Sequence, residues 1–231
     1  MLRDWDTLPG FMQVPEVRPY YDVLQQKKFQ LLLKQMLDYA GAVILLVVFA
    51  FPMALLAIWI KIDSEGPVFY RQERVTTNGK HFHIHKFRTM VSNADRIGTA
   101  VTTNNDVRIT KAGKLLRGLR LDELPQLFDV LQGNMSFVGT RPEAVKYVEC
   151  YQPEFYATLL LPAGITSEAS IRYKDEAKLL SGMNDVDKVY IEQVLPAKMQ
   201  WNLRSVEQFS LAGDIATMIR TVFAVLGKKY K

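Results

Sequence analysis

The sequence holds a single cysteine, Cys150, so no disulfide can form within the chain, and a reducing compartment fits. Histidine is nearly as scarce: all three, His81, His83 and His85, fall in one short stretch. No internal repeat and no low-complexity tract is visible in the 231 residues, a length for one large domain or two small ones. Nothing near Met1 resembles a cleaved signal peptide, because Asp4 and Asp6 come early and the first long apolar run starts too late. The longest absence is of charge. From Ala40 to Ile60 there is none.

What is present is globular in composition, with 48% hydrophobic and 23% charged residues. The net charge is +5 and the pI about 9.2. That balance suits a partner bearing phosphates: a nucleic acid, a nucleotide or an anionic membrane surface. Residues 1–22 carry Pro9, Pro15 and Pro19 among aromatics and charges and read as an irregular arm over residues 1–35.

As a helix, Ala40–Ile60 would extend about 30 Å, enough to cross a bilayer. Few water-soluble helices stay apolar on every side for so long. Pro52 sits in the middle, where it removes a backbone hydrogen bond and crowds the preceding turn, so a bend or break is expected there. Lys27, Lys28 and Lys34 precede the segment, and Lys61, Arg71 and Arg74 follow it. Basic flanks prefer the cytoplasmic side. A re-entrant hairpin hinged at Pro52 satisfies both flanks; a kinked single span satisfies one. The residues alone leave the two open.

Gly66-Pro67 marks a turn and Val68–Gln72 a strand, and Asn78-Gly79 signals a hairpin. The return strand alternates, with the three histidines on one face and Phe82, Ile84 and Lys86 on the other. The histidines suggest a metal, but no cysteine or obvious carboxylate partner lies nearby in sequence, and a polar strand face is the simpler reading. Lys86 and Arg88 close the strand as two like cations, either phosphate ligands or a basic edge that discourages pairing. Residues 91–110 are loop-like, including Thr102–Asp106, and Asp106 and Arg108 form an ion pair or bind a ligand. Lys111–Leu119 reads as a short helix with Lys114 and Arg117.

The chemistry centres on Leu121-Asp122-Glu123-Leu124-Pro125-Gln126-Leu127. Leu124, Leu127, Phe128 and Leu131 recur with helical spacing, and Pro125 suits a first turn. Asp122 is thereby placed at or just before a helix N-terminus, which favours an ionised carboxylate and a bound phosphate alike. An ordinary helix cap would look the same. Arg141, framed by Gly139-Thr140 and Pro142, suits a phosphate clamp, as it would a surface turn. Further on, Gly164-Ile165-Thr166 reads as a loop. Tyr173–Gly182 and Asp185–Arg204, interrupted at Pro196, read as polar helices. Leu211–Leu226 reads as an amphipathic helix ending in Lys228-Lys229.

Taken in order, these stretches resemble the bacterial sugar transferases, or monotopic phosphoglycosyl transferases. The resemblance runs over residues 36–145. It is carried by the proline-centred apolar segment, Gly66-Pro67-Val68-Phe69, Arg71-Gln72-Glu73-Arg74 and Lys86-Phe87-Arg88-Thr89-Met90. It continues through Asp106–Thr110, Leu121–Leu127, Gly133-Asn134-Met135-Ser136 and Val138–Pro142. With no run of transmembrane helices before it, the chain is similar to the small, minimal form of the family.

The resemblance implies a phosphotransferase that moves a sugar 1-phosphate from a UDP-sugar to polyprenol (undecaprenyl) phosphate and releases UMP. It implies Asp122 as nucleophile, giving a phosphosugar–aspartate intermediate, with Glu123 beside it and Mg²⁺ associated with Asp122. Lys86, Arg117 and Arg141 would surround the phosphates, with Arg88 adjoining. The membrane helix, residues 36–62, would be re-entrant and broken at Pro52. The protein would lie on the cytoplasmic face of a bacterial inner membrane, at the first membrane step of surface glycan synthesis. Its product would pass to downstream glycosyltransferases.

Three departures stand out: Phe51 where the family often has Ser, Thr140 where it has Pro, and Leu161–Ser167 in place of the common Arg-Pro-Gly-Ile-Thr-Gly run. The expected fold class is α+β: one membrane-associated helical unit with a small β-hairpin sheet, and residues 63–231 as its catalytic part. A catalytically silent membrane scaffold for glycosyltransferases is the rival reading. Joint retention of Lys86, Asp122, Glu123 and Arg141 argues against it. A nucleic-acid binder is suggested by charge alone, and the apolar segment gives it no purpose.

Overall fold

The computed structural model describes residues 2–94, 106–180, 183 and 185–227, and mixes helices with two small sheets. The expected Thr102–Asn105 loop and the Lys228-Lys229 end lie outside the described residues. The first stretch forms short 3₁₀ turns and then α1 (Arg18–Gln26). It supplies Leu8, Met12, Val17, Tyr21 and Leu24 to the largest core cluster, which also takes in Tyr190, Leu195 and Met199.

Next comes α2 (Lys28–Asp63), one helix of 36 residues with Pro52 inside it. It starts eight residues before the apolar stretch expected at 36–62. A proline removes only one ladder bond, so helical turns continue on both sides of it. One face of α2 is packed. Ala42 joins a cluster with Phe82, Leu127, Val130 and Met135, and Met53 and Ile60 join another with Phe87 and Leu116. The other face is bare: Val47, Val48, Phe51 and Ile62 are each at least 60% exposed.

After α2 come β1 (Phe69–Val75) and β2 (His81–Phe87), an antiparallel pair in the register Phe69↔Phe87 and Val75↔His81. The turn between them puts Asn78 and Gly79 at positive φ, as the sequence suggests. Phe82, Ile84 and Phe87 are buried. Burial of a side chain such as Phe87 contributes roughly 1.5–3 kcal/mol.

Helix α3 (Lys111–Gly118) follows, then a 3₁₀ turn at Leu121–Glu123 and α4 (Gln126–Leu131). β3 (Met135–Val138), α5 (Val145–Val148) and β4 (Ala163–Thr166) come next. β4 replaces the loop expected at Gly164–Thr166. It pairs in parallel with β3, and Gly164 permits the contact, since a Cβ there would meet the Gly139 nitrogen at 2.2 Å.

The chain closes with α6 (Glu168–Arg172), α7 (Glu176–Leu179), α8 (Val186–Val189), α9 (Leu195–Glu207) and α10 (Leu211–Val225). The long helix expected from Tyr173 shrinks to α7, behind a turn at Tyr173–Asp175. A π turn, Tyr190–Val194, joins α8 to α9, so Pro196 enters in a first turn where its missing N–H costs nothing. Lys34 of α2, 9% exposed, binds Asp214 of α10 at 2.7 Å, while Asp38 accepts a 2.7 Å bond from Ser136. These contacts fix α2 to both neighbours.

Candidate active site

Asp122 and Glu123 lie in the 3₁₀ turn, not in α4, whose N-cap position is Pro125. The alternative reading of Asp122 as an ordinary helix cap is therefore not met: no side chain caps α4, and Asp122 Oδ1 is buried without a hydrogen-bond partner. The reason lies two residues upstream of Asp122. Arg120 adopts a left-handed conformation, φ 57°, and turns the chain out of α3 into a separate tight turn. Non-glycine residues occupy that region at some cost, and such strain gathers at functional sites.

Glu123 is held by two cations. Arg141 Nη2 approaches Glu123 Oε1 at 2.5 Å, and Lys86 Nζ donates to the same oxygen at 3.2 Å. Lys86 comes from the end of β2 and Arg141 from the loop after β3, so two sheets deliver their charges to one turn. Arg117, near the end of α3, donates from Nε to Thr89 Oγ1 at 2.8 Å. α3 reaches Thr89 closely because of Gly113, whose absent Cβ would lie 2.0 Å from the Thr89 carbonyl oxygen. Asp63, the last residue of α2, accepts from the Ala112 N–H at 2.9 Å and fixes the start of α3.

The two carboxylates are driven apart electrostatically. Burial raises the Asp122 pKa above the ordinary aspartate value, and the Glu123 charge adds to it, against the pull of Lys86, Arg117 and Arg120. Burial also pushes Glu123 upward, but Arg141 and Lys86 outweigh it and hold the group well below the usual carboxylate range. Glu123 raises the pKa of Arg141, whereas burial lowers those of Lys86 and Arg117.

A cavity of about 800 Å³ opens on this constellation, lined by Lys86, Arg117, Arg120, Asp122, Glu123 and Arg141 among others. Arg88 also lines it, but its Nη2 donates to the carbonyls of Ile60 and Ser64, capping the end of α2. Pro52 does not line the cavity. Asp106 and Arg108 form a local ion pair at 2.6 Å.

One contributor, Arg120, has no sequence signal beyond lying two positions before Asp122; Arg74, a residue of the Arg71-Gln72-Glu73-Arg74 motif with no site role expected of it, donates to the Pro142 carbonyl at 3.2 Å behind Arg141. The histidine stretch also gains a partner. Asp129 of α4, fully buried, lies 2.7 Å from His85 Nδ1 and accepts from the His85 N–H at 2.8 Å. Among the described residues no cluster of three or more His, Cys, Asp or Glu could hold a metal. A lone Asp122 oxygen free of protein bonds suits Mg²⁺ nonetheless, because Mg²⁺ is usually held by one or two carboxylates together with substrate phosphates.

Comparison with known proteins matches residues 29–228 to the family described as "Bacterial sugar transferase". A UDP-N-acetylgalactosamine-undecaprenyl-phosphate N-acetylgalactosaminephosphotransferase of Aeromonas hydrophila is 33% identical over 198 residues, 84% of this chain and 44% of the relative. A UDP-glucose:undecaprenyl-phosphate glucose-1-phosphate transferase of Caulobacter vibrioides is 35% identical over 196 residues, 84% of this chain and 69% of the relative. Its namesake from Escherichia coli is 34% identical over 197 residues, 83% of this chain and 40% of the relative. The matched stretch thus spans less than half of two of these three relatives.

Proposed function

The chain belongs to the bacterial sugar transferase family, and on that premise we propose that it transfers a sugar 1-phosphate from a UDP-sugar to polyprenol phosphate, releasing UMP. The relatives' names supply the substrate classes: each transfers a sugar phosphate to undecaprenyl phosphate. The observation that carries the reading is Asp122, its Oδ1 buried and unpartnered, in the lining of a cavity walled also by Lys86, Arg117, Arg120 and Arg141. A nucleophile without a hydrogen-bond partner and a phosphate-binding wall share one opening.

In this reading Asp122 attacks the phosphorus that bears the sugar. The bond from that phosphorus to the bridging oxygen breaks, and UMP leaves with the electron pair. The sugar phosphate remains on Asp122 as an acyl phosphate. An oxygen of polyprenol phosphate then attacks the same phosphorus, freeing the Asp122 carboxylate and giving a polyprenol diphosphate sugar. Splitting the transfer lets one substrate come from water and the other from lipid. Arg117, Arg120, Lys86 and Arg141 stabilise the charge that develops on the phosphoryl oxygens and on UMP. Glu123 aligns Lys86 and Arg141 through the bonds described above and stays ionised throughout. Asp122 would hold Mg²⁺ together with the diphosphate, and the ion would supply charge neutralisation and Lewis acidity.

The same proposal places α2 in the cytoplasmic leaflet of a bacterial inner membrane as a re-entrant element bent at Pro52. α2 is long and apolar enough to cross a membrane by length and composition, and only 11% of its most apolar window is buried. An exposed apolar surface of that size needs a partner, and lipid is one. Against a crossing, contacts to the same globular body recur along its length, at Lys34, Asp38, Ala42, Met53, Ile60 and Asp63. A true span would need about 20 residues clear of that body.

The test is to incubate purified protein with individual UDP-sugars and polyprenol phosphate and to measure UMP. Release with at least one sugar, dependent on intact Asp122, is expected. Absence of UMP with every UDP-sugar would favour the silent scaffold.

A further inference from the structure

A second cavity, of about 880 Å³, adjoins the first, and Arg117, Arg120, Glu123 and Arg141 line both. Away from that shared wall they differ. The first continues along polar groups such as Thr89, Ser92 and Asn93. The second runs between Leu45 and Phe49 of α2 on one side and Ala224 and Val225 of α10 on the other, over Phe137 and Ile165. Polar groups also line it, Ser170, Tyr173 and Lys174 among them, with Lys198 paired to Glu176 at 3.0 Å, but the stretch between α2 and α10 is apolar apart from two threonines. Thr166 and Thr221 bond to each other at 2.7 Å, and Thr221 donates on to the Thr217 carbonyl at 2.8 Å.

Building on the phosphotransfer reading above, we propose that this second cavity receives the isoprenoid end of the lipid acceptor. Its phosphate would rest on the shared cations while the nucleotide sugar uses the first cavity. Between α2 and α10, over Leu45, Phe49, Ala224 and Val225, uracil and ribose would lose water without finding partners, a penalty of a few kcal/mol per unsatisfied group. A branched hydrocarbon loses nothing and removes apolar wall from water. The two helices that form its sides also carry outward apolar residues, Val48 and Phe51 on α2 and Ile219 and Val222 on α10, each more than half exposed. A polyprenyl chain can therefore pass from a lipid layer to the cations along apolar surface. The two substrates approach the same phosphorus from different cavities, which fits a two-step transfer. Chain-length and isoprene preference would then be set by α10 and α2, far in sequence from Asp122.

The test separates the half-reactions. Ala224→Trp, and independently Val225→Trp, narrow the second cavity from α10, which contributes none of the shared cations. With UDP-sugar alone, each variant should give the wild-type burst of UMP. Transfer to long-chain polyprenol phosphate should fall by about tenfold or more in kcat/KM, while a short, water-soluble prenyl phosphate keeps its rate within about twofold. Equal losses for long and short acceptors in both variants, or no loss in either, overturn the proposal. So does loss of the burst in both. A wild-type protein that gives no burst with any UDP-sugar would count against the phosphotransfer reading itself.

Discussion

Asp122 and Glu123 are adjacent in the chain and opposite in electrostatic situation. Glu123 is locked between Arg141 and Lys86 and kept ionised; Asp122 has one oxygen without a partner and a pKa raised by burial and by Glu123. A raised pKa makes a carboxylate a better nucleophile once ionised, and it sets the acid limit of the reaction. The UMP burst from UDP-sugar alone should fall with acid around a midpoint above 3.8, the ordinary aspartate value. Glu123→Gln should move that midpoint down, because it removes a like charge and leaves Lys86 and Arg141 to act on Asp122. An upward move in stopped-flow burst rates would contradict this electrostatic account. Arg141 makes its contact to Glu123 through a planar fork that lysine cannot reproduce. Arg141→Lys should lose about tenfold or more in turnover, the scale of a charge-assisted bond of about 1.5–3 kcal/mol; wild-type turnover would show that the arginine is not part of the site.

Among the elements, α2 is the one that, in the proposed membrane placement, sets where the site lies relative to lipid. Its Asp63 accepts from the start of α3, and the carbonyls of Ile60 and of Ser64, just past its end, hold Arg88, so short, specific bonds tie the helix to α3, which leads into the Leu121–Glu123 turn, and to the residue after β2. If α2 returns to the face it entered from, cysteines placed at exposed Gln25 and His83 in a Cys150-free background should both resist an impermeant thiol reagent in sealed cells. Pro52→Leu, which restores an unbroken apolar helix, should expose one of them and abolish activity. Labelling of either site in the parent would rule out the re-entrant arrangement. The elements that sequence made legible were those with local signals: the hairpin turned at Asn78-Gly79, and α10 with its helical period. β4 is not legible because Ala163–Thr166 has only four residues and becomes a strand by pairing with β3, each residue with one 28 positions back. The sequence places Asp122 at or just before a helix N-terminus; that it occupies a separate 3₁₀ turn ahead of α4 is not legible, because nothing in the residue type of Arg120 announces a left-handed backbone.

At the scale of the molecule, the fold gathers cations that are far apart in the chain. Lys86, Arg117, Arg120 and Arg141, separated by up to 55 positions in sequence, line one cavity around two carboxylates. The motifs made Asp122, Glu123, Lys86 and Arg141 legible as a set. The sequence could not show that Glu123 is the member bound to the cations and Asp122 the one left without a bond at Oδ1. That distinction comes from burial and from which side chains the two sheets bring together. It also yields the central claim, a phosphosugar carried covalently on Asp122. The most direct measurement is the intact mass of protein given UDP-sugar without lipid acceptor, followed by peptide mapping. The wild type should gain the mass of one sugar phosphate on the peptide containing Asp122. Asp122→Asn, which keeps the size of the side chain, should fold, bind membranes and gain nothing. A normal rate of UMP release from Asp122→Asn, or an adduct mapped to any other residue, would contradict the account.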